Sequence, residues 1–317
     1  MFEEDADNEN PNKLINTQTF STLILTEKEL RAIFEAKCQD FKLTFQEKLF
    51  QRFLSRQSNY NSHKALHLEN SGLGQTAAQI VVESIYRHRN IVVVCYSNNC
   101  LKDYGARCFA DLILATNSII SFDLSSNQMN DDGLSTIFTA LLRNKSVYEL
   151  NVGSKTNMNR NSIGARSIKR LNEVLKQNKV LSELNLSMTE LNSINIKGLS
   201  TGLKANHTLT YLNLSNNNIQ SKGAICVLKN ILNSSIAELY LADNSIQDDT
   251  APYIVSFLHT SKSIRKLDLS GNQFTFRTME SLAKTSSVHF VVEHLIFARN
   301  PICGKGLTCF SAYLTHN

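Results

Sequence analysis

Between residues 209 and 219 the chain changes period. Leu212 and Leu214 flank Asn213, the alternation of a half-buried strand, with Leu209 apolar three residues before. Asn217 follows, where a side-chain amide can bond the backbone as the chain turns out of the strand, and Ile219 is again apolar. Ala224, Val227, Leu228 and Ile231 then stand at i, i+3, i+4 and i+7, which predicts one stripe of an amphipathic helix. The same succession starts near His63, Ile91, Ile119, Val147, Leu181, Leu209, Ile236, Ile264 and Val292, at spacings of 28, 28, 28, 34, 28, 27, 28 and 28 residues. Helix stripes recur with it, as in Ala78/Val81/Val82/Ile85, Leu134/Ile137/Phe138/Leu141 and Ala251/Ile254/Val255/Leu258. A single strand, turn and helix cannot bury its own core, so each unit must stack on its neighbours.

Ahead of the repeats the period is helical. Thr26 and Glu29 form a capping box before Leu30, Ile33, Phe34 and Cys38, and Thr44 with Glu47 forms a second before Leu49, Phe50, Phe53 and Leu54. Three segments follow: a disordered acidic arm at 1–20, a helical cap at 21–62 covering the open edge of the first unit, and about nine repeats at 63–317. The 34-residue unit keeps its strand (Val147, Leu150, Val152) and its helix (Ile168, Leu171, Leu175). Its extra six residues lie within 153–160, which predicts a bulge from one rim.

The pattern Leu209-x-x-Leu-x-Leu-x-x-Asn217-x-Ile219 resembles the leucine-rich repeat signature, and full helices at a 28-residue period resemble its ribonuclease-inhibitor-like subfamily. The resemblance covers residues 63–317. It implies an α/β solenoid or horseshoe, with parallel strands on the concave face, helices on the convex face, and partners held on the concave side. The turn positions Ser71, Asn99, Asn127, Lys155, Thr189, Asn217, Asn244, Asn272 and Asn300 lack the Asn/Cys alternation of the ribonuclease inhibitor, so a ribonuclease partner is not implied. The GTPase-activating protein for the nuclear-transport GTPase Ran shares the fold, but its acidic C-terminal tail has no counterpart in Ala312–Asn317.

Candidate chemistry is sparse. No phosphate-binding loop, dinucleotide fingerprint, zinc spacing or nucleophile elbow occurs, and Ser200 between Gly198 and Gly202 falls on a predicted helix. The eight histidines are scattered, and no enzyme activity, cofactor or small-molecule substrate is expected. The seven cysteines form no C-x-x-C; Cys108, Cys226 and Cys309 share one repeat position and read as reduced packing thiols. The acidic N-terminus lacks the apolar core of a signal peptide, and no run approaches a membrane span, so a cytoplasmic protein is expected.

Two surfaces stand out. Alternation places Asp123, Glu149, Glu183, Tyr211, Tyr240 and Asp268 on the outward face of successive strands, an acidic groove for a basic or mixed peptide with two tyrosines as anchors. From Arg143 to Lys179 nine Lys or Arg face two Glu, a local +7 in a chain of net +5. Lys155, Arg160, Arg166, Lys169 and Arg170 in this unit are expected to dock acidic surfaces such as tubulin tails, while nucleic acid is disfavoured because no aromatics interleave. The favoured role is a protein-interaction scaffold within a large assembly, cytoskeletal or ciliary (axonemal), since such subunits resemble this subtype. The alternative is a free regulator binding one protein on the concave face. Val292, Leu295, Phe297, Leu307, Phe310 and Leu314 complete a ninth unit with three residues after it, and its outer edge is expected to meet a partner or a second copy.

Overall fold

The computed structural model describes residues 24–60, 64–155, 158–284 and 291–306, with residues 308 and 311. The arm at 1–20 and the positions Leu307, Phe310 and Leu314 lie outside them. Two helices lead, α1 (Glu27–Asp40) and α2 (Glu47–Tyr60). Nine three-residue strands follow: β1 Ala65–His67, β2 Val93–Cys95, β3 Ser121–Asp123, β4 Glu149–Asn151, β5 Glu183–Asn185, β6 Tyr211–Asn213, β7 Glu238–Tyr240, β8 Lys266–Asp268 and β9 His294–Ile296. Between them run α3 Gln75–Ile85, α4 Lys102–Ala115, α5 Asp131–Leu141, α6 Ala165–Gln177, α7 Ser193–Ala205, α8 Gln220–Asn230, α9 Ala251–Thr260 and α10 Phe276–Ala283.

The strands form one parallel sheet in chain order, each paired with the next at the expected position of the repeat. The middle residue of β1 to β8 is buried, and so are Leu214, Leu241 and Leu269 just beyond the strands, as the alternation requires. Their N–H groups still reach the next repeat, Leu214 to Tyr240 at 2.9 Å and Leu241 to Asp268 at 2.8 Å. Strands pair at about 4.8 Å while packed helices stand about 8–10 Å apart. The helix layer is therefore the wider one, and the sheet lines the inside of the curve.

Asparagine closes the strand-to-helix turn. Asn127, fully buried, donates from Nδ2 to the carbonyls of Tyr96, Leu124 and Ser125, and Asn99, Asn217, Asn272 and Asn300 make equivalent bonds across two repeats. In the long unit this residue is Asn161, not Lys155. Its Nδ2 reaches Leu124 O and Val152 O, and its Oδ1 accepts from Asn127 N and Met129 N. The inserted residues thus precede the turn asparagine. Thr189 fills the position one repeat on, and its hydroxyl donates to Leu186 O alone.

Helix starts are tied between repeats by carboxylates. Asp40 of α1 accepts from Thr76 and Ala77 N–H, Asp103 from Asn130 and Gly133, and Asp131 from Gly164, Arg166 and Ser167. Helix α1 packs along α3, and its Asp40 caps it as the carboxylates of the repeat helices cap their successors. Its own box forms in both directions, Thr26 with Glu29. The box expected at Thr44 is displaced: α2 begins at Glu47, whose carboxylate takes both Arg31 nitrogens at 3.0 Å and Gln51, and Leu49 lies exposed rather than on the stripe.

Candidate interaction surfaces

The strand register sets two outward rows on the sheet. One carries Ser121, Glu149, Glu183, Tyr211, Glu238 and Lys266, and the other Asp123, Asn151, Asn185, Asn213, Tyr240 and Asp268. The second row is partly structural. Asp123, Asn151, Asn185, Asn213 and Asp268 each accept the N–H two residues on at 2.9–3.0 Å, closing the exit from their strand. That leaves Asp123 and Asp268 only part of their carboxylate for a partner.

The first row behaves differently. Glu149 accepts from Ser121 Oγ at 2.7 Å and Glu238 from Tyr240 Oη at 2.6 Å, whereas among the described residues no cation forms an ion pair with Glu183 between them. Partial burial, then the nearby charges of Glu149 and Glu238, raise the Glu183 carboxyl above its ordinary value. Tyr211 and Tyr240 pack together at 5.2 Å between ring centroids, and Lys266 Nζ sits 4.9 Å over the Tyr240 ring. Burial raises both phenols, with Glu238 adding to it at each. The patch is an aromatic step beside carboxylates that lack their share of positive charge, which suits a guanidinium or ammonium group.

The fourth repeat is less available than its charge count suggests. Two described residues of its insert, Lys155 and Asn159, reach back to the preceding repeats. Lys155 Nζ reaches Ser97 Oγ at 3.2 Å and Asp123 Oδ2 at 3.4 Å, and Asn159 donates to Asn98 Oδ1 at 3.0 Å. Arg160 pairs with Glu190, Arg166 with Asp132, and Arg170 with Glu173 on its own helix. Of the five cations singled out there, Lys169 alone is exposed with no acid beside it. The excess of +7 counted one stretch of chain, while folding brings Asp123, Asp132 and Glu190 in from adjoining repeats.

A second ladder closes the opposite rim, where helices return to strands. Asn144, Asn178 and Asn206 donate to the carbonyls of Ile113, Leu141 and Leu175 in the preceding repeat, and accept from N–H groups two and three residues on. The recurrence of Asn after α5, α6 and α7 was its signal in the sequence. His88 Nε2 lies 3.0–3.1 Å from both oxygens of Glu29 at the α1–α3 junction. Burial opposes the Glu29 charge, but hydrogen bonds from Thr26 N–H, His88 and the Thr26 hydroxyl together hold its pKa below the ordinary value. Cys38, Cys95, Cys100, Cys108, Cys226 and Cys303 are free thiols, and burial, aided by Asp123, pushes Cys95 to about 12. Among the described residues no helix is long and apolar enough to cross a membrane.

Leucine-rich repeat models match residues 117–138 and 205–228, and a second such model matches 263–284. No curated protein sequence matches the chain. Among solved structures, actin-binding site 2 of leiomodin-1 is 20% identical with a TM-score of 0.39, over 50% of this chain and 91% of that one. The tropomodulin C-terminal domain of Caenorhabditis elegans is 17% identical with a TM-score of 0.38, over 45% of this chain and 83% of that one. TLR13 in complex with ssRNA13 is 17% identical with a TM-score of 0.47, over 78% of this chain but only 31% of that one. At these identities no partner carries over. The repeat models, the nine-stranded parallel sheet and the asparagine-closed turns agree: the chain is a leucine-rich repeat solenoid.

Proposed function

We propose that this solenoid is a non-catalytic interaction scaffold whose sheet face holds a basic segment of a protein partner. The observation that carries it is the row Glu149–Glu183–Glu238 beside the stacked Tyr211 and Tyr240, with Glu183 unmatched by a cation and its carboxyl raised. Asp123 and Asp268 lie at the flanks of this patch, and Lys155 closes it toward the N-terminal repeats. The 28-residue period with a full helix in each unit supports the ribonuclease-inhibitor-like subtype. The α1–α2 pair, which joins α3 through Asp40, supports a helical cap ahead of the repeats. The test is fluorescence anisotropy of a labelled nonapeptide of alternating Arg and Ser. The expected result is salt-sensitive binding that Glu149→Gln/Glu183→Gln/Glu238→Gln weakens at least ten-fold with melting unchanged or raised. Equal binding by that variant would sink the reading.

A second reading is a subunit of a cytoskeletal or ciliary axonemal assembly that meets acidic surfaces such as tubulin tails. Exposed cations that no acid engages, Lys169 among them, favour it. Co-sedimentation with microtubules is the direct assay, and absence from the pellet at low salt counts against tubulin.

A further inference from the structure

The loops that return each helix to the next strand, on the rim opposite the insert, contain no Asp or Glu from the third repeat to the seventh. Residues 115–120, 142–148, 176–182, 204–210 and 231–237 are all free of acids. The same rim presents Arg143, Lys145, Lys176, Lys179 and Lys204, all exposed, and none of them forms an ion pair with an acid among the described residues. Arg89 extends the line to the second repeat. The helix dipole accounts for part of the arrangement, since a cation near a helix C-terminus is favourable. It does not account for a second feature at the centre of the row. Ile120 and Tyr148 stand side by side on adjacent repeats, Tyr148 N–H bonded to Ile120 O at 2.8 Å, and both side chains are exposed, 44% each. An aromatic and a β-branched residue are left in solvent, with Arg143 and Lys145 a few residues before Tyr148 on the same loop, an apolar anchor on a basic rim.

We infer that this rim binds an extended acidic polypeptide segment that places one apolar side chain on Ile120 and Tyr148. The inference deepens the second reading above, moving the acidic partner from the fourth-repeat insert, whose cations are largely paired, to the opposite rim, whose cations are not. The repeats set the cations in line, one or two to a unit, so an extended segment meets several at once. Each contact is weak alone, and the sum is sensitive to salt. A single-stranded nucleic acid fits less well, because stacking calls for an aromatic on successive repeats and Tyr148 stands without one on either neighbouring loop.

The probe is a fluorescein-labelled nonapeptide of eight Glu around a central Phe, titrated by anisotropy into the full chain at 50 and 300 mM salt. The wild type should bind it and weaken at least ten-fold between the two salts. Arg143→Ser/Lys145→Ser/Lys176→Ser/Lys179→Ser should lose at least ten-fold at low salt and flatten the salt dependence. Tyr148→Ser should lose several-fold with the salt dependence intact, a split that mere nonspecific attraction does not produce. Melting curves of the variants must match the wild type; for one that does not, the single changes Lys145→Ser and Lys179→Ser are read instead. No binding by the wild type overturns the inference, as does an equal loss in Lys155→Ser/Arg160→Ser/Lys169→Ser or tighter binding of an oligothymidine of the same length. A chain that binds the peptide but leaves microtubules in the supernatant sinks the tubulin assignment and supports the rim as a site for another acidic segment.

Discussion

Asn244 shows how one side chain joins two repeats. It is fully buried, its Nδ2 lies 3.0 Å from both Leu214 O and Ala242 O, and its own N–H is held by Asn272 Oδ1. Asn244→Ala would remove one of two donors from each carbonyl, since Asn217 Nδ2 still reaches Leu214 O and Asn216 N–H still reaches Ala242 O, at about 0.5–1.5 kcal/mol for each bond lost. Asn244→Thr should be milder, because Thr189 shows that a hydroxyl at this position still reaches one carbonyl. Urea unfolding should rank the midpoints wild type, Thr, Ala. Leu214→Ala, at 1% exposure, should cost roughly 2–5 kcal/mol through the cavity it leaves. The core was legible residue by residue because burial follows a local period of two or 3.6. The turn residue of the long unit was not. Counting forward from Val147 lands on Lys155, yet the ladder bonds depend on where Asn161 arrives in space, and six extra residues intervene.

At the scale of elements, what binds one unit to the next escaped the sequence when its partners lay a repeat away. The Thr26–Glu29 box was visible because its members are three residues apart, whereas the Asp131 contacts span 33 to 36 residues. Asp131 and Asp248 make the clearest prediction. Burial works against their charge, but hydrogen bonds from Ser167, Arg166 and Gly164 to the first, and from Thr275 and Thr278 to the second, hold both carboxyls below their ordinary value of 3.8. A depressed carboxyl contributes stability that is present above its unfolded pKa and lost as pH falls through the folded one. Asp248→Ala should therefore destabilise by about 1 kcal/mol at pH 7, and the gap between variant and wild type should close in acid below pH 3.8. A gap that stays constant from neutrality into acid would mean that Asp248 acts by packing alone. The basic unit shows the same limit, since Asp132 and Glu190 are brought to Arg166 and Arg160 by stacking and no charge count along the chain sees them.

Among the described residues several charges sort by place: carboxylates such as Asp40, Asp103 and Asp131 at helix starts, Glu149, Glu183 and Glu238 on the sheet, and Lys176 and Lys204 at helix ends. The first and last fit the helix dipole and stabilise the fold. The carboxylates on the sheet do not, and there stability and binding pull in opposite directions. Partial burial, with Glu149 and Glu238 near, raises the Glu183 pKa. A raised carboxyl favours the protonated folded state, so the ionised group costs stability above its folded pKa, and that cost fades as pH falls through the folded pKa and is gone below the unfolded value of 4.5. Glu183→Gln should then leave the free protein as stable or more stable at pH 7, unlike a carboxylate kept for its own hydrogen bonds. Binding of the Arg/Ser nonapeptide should move the other way: strongest above the raised pKa, and lost on acidification at a higher pH than Glu149→Gln loses it. Anisotropy from pH 7.5 to 4.5, beside thermal melts of the same samples, reads both quantities. If Glu183→Gln melts lower at neutral pH, Glu183 belongs to the structure and the sheet face has no unmatched charge to offer a partner.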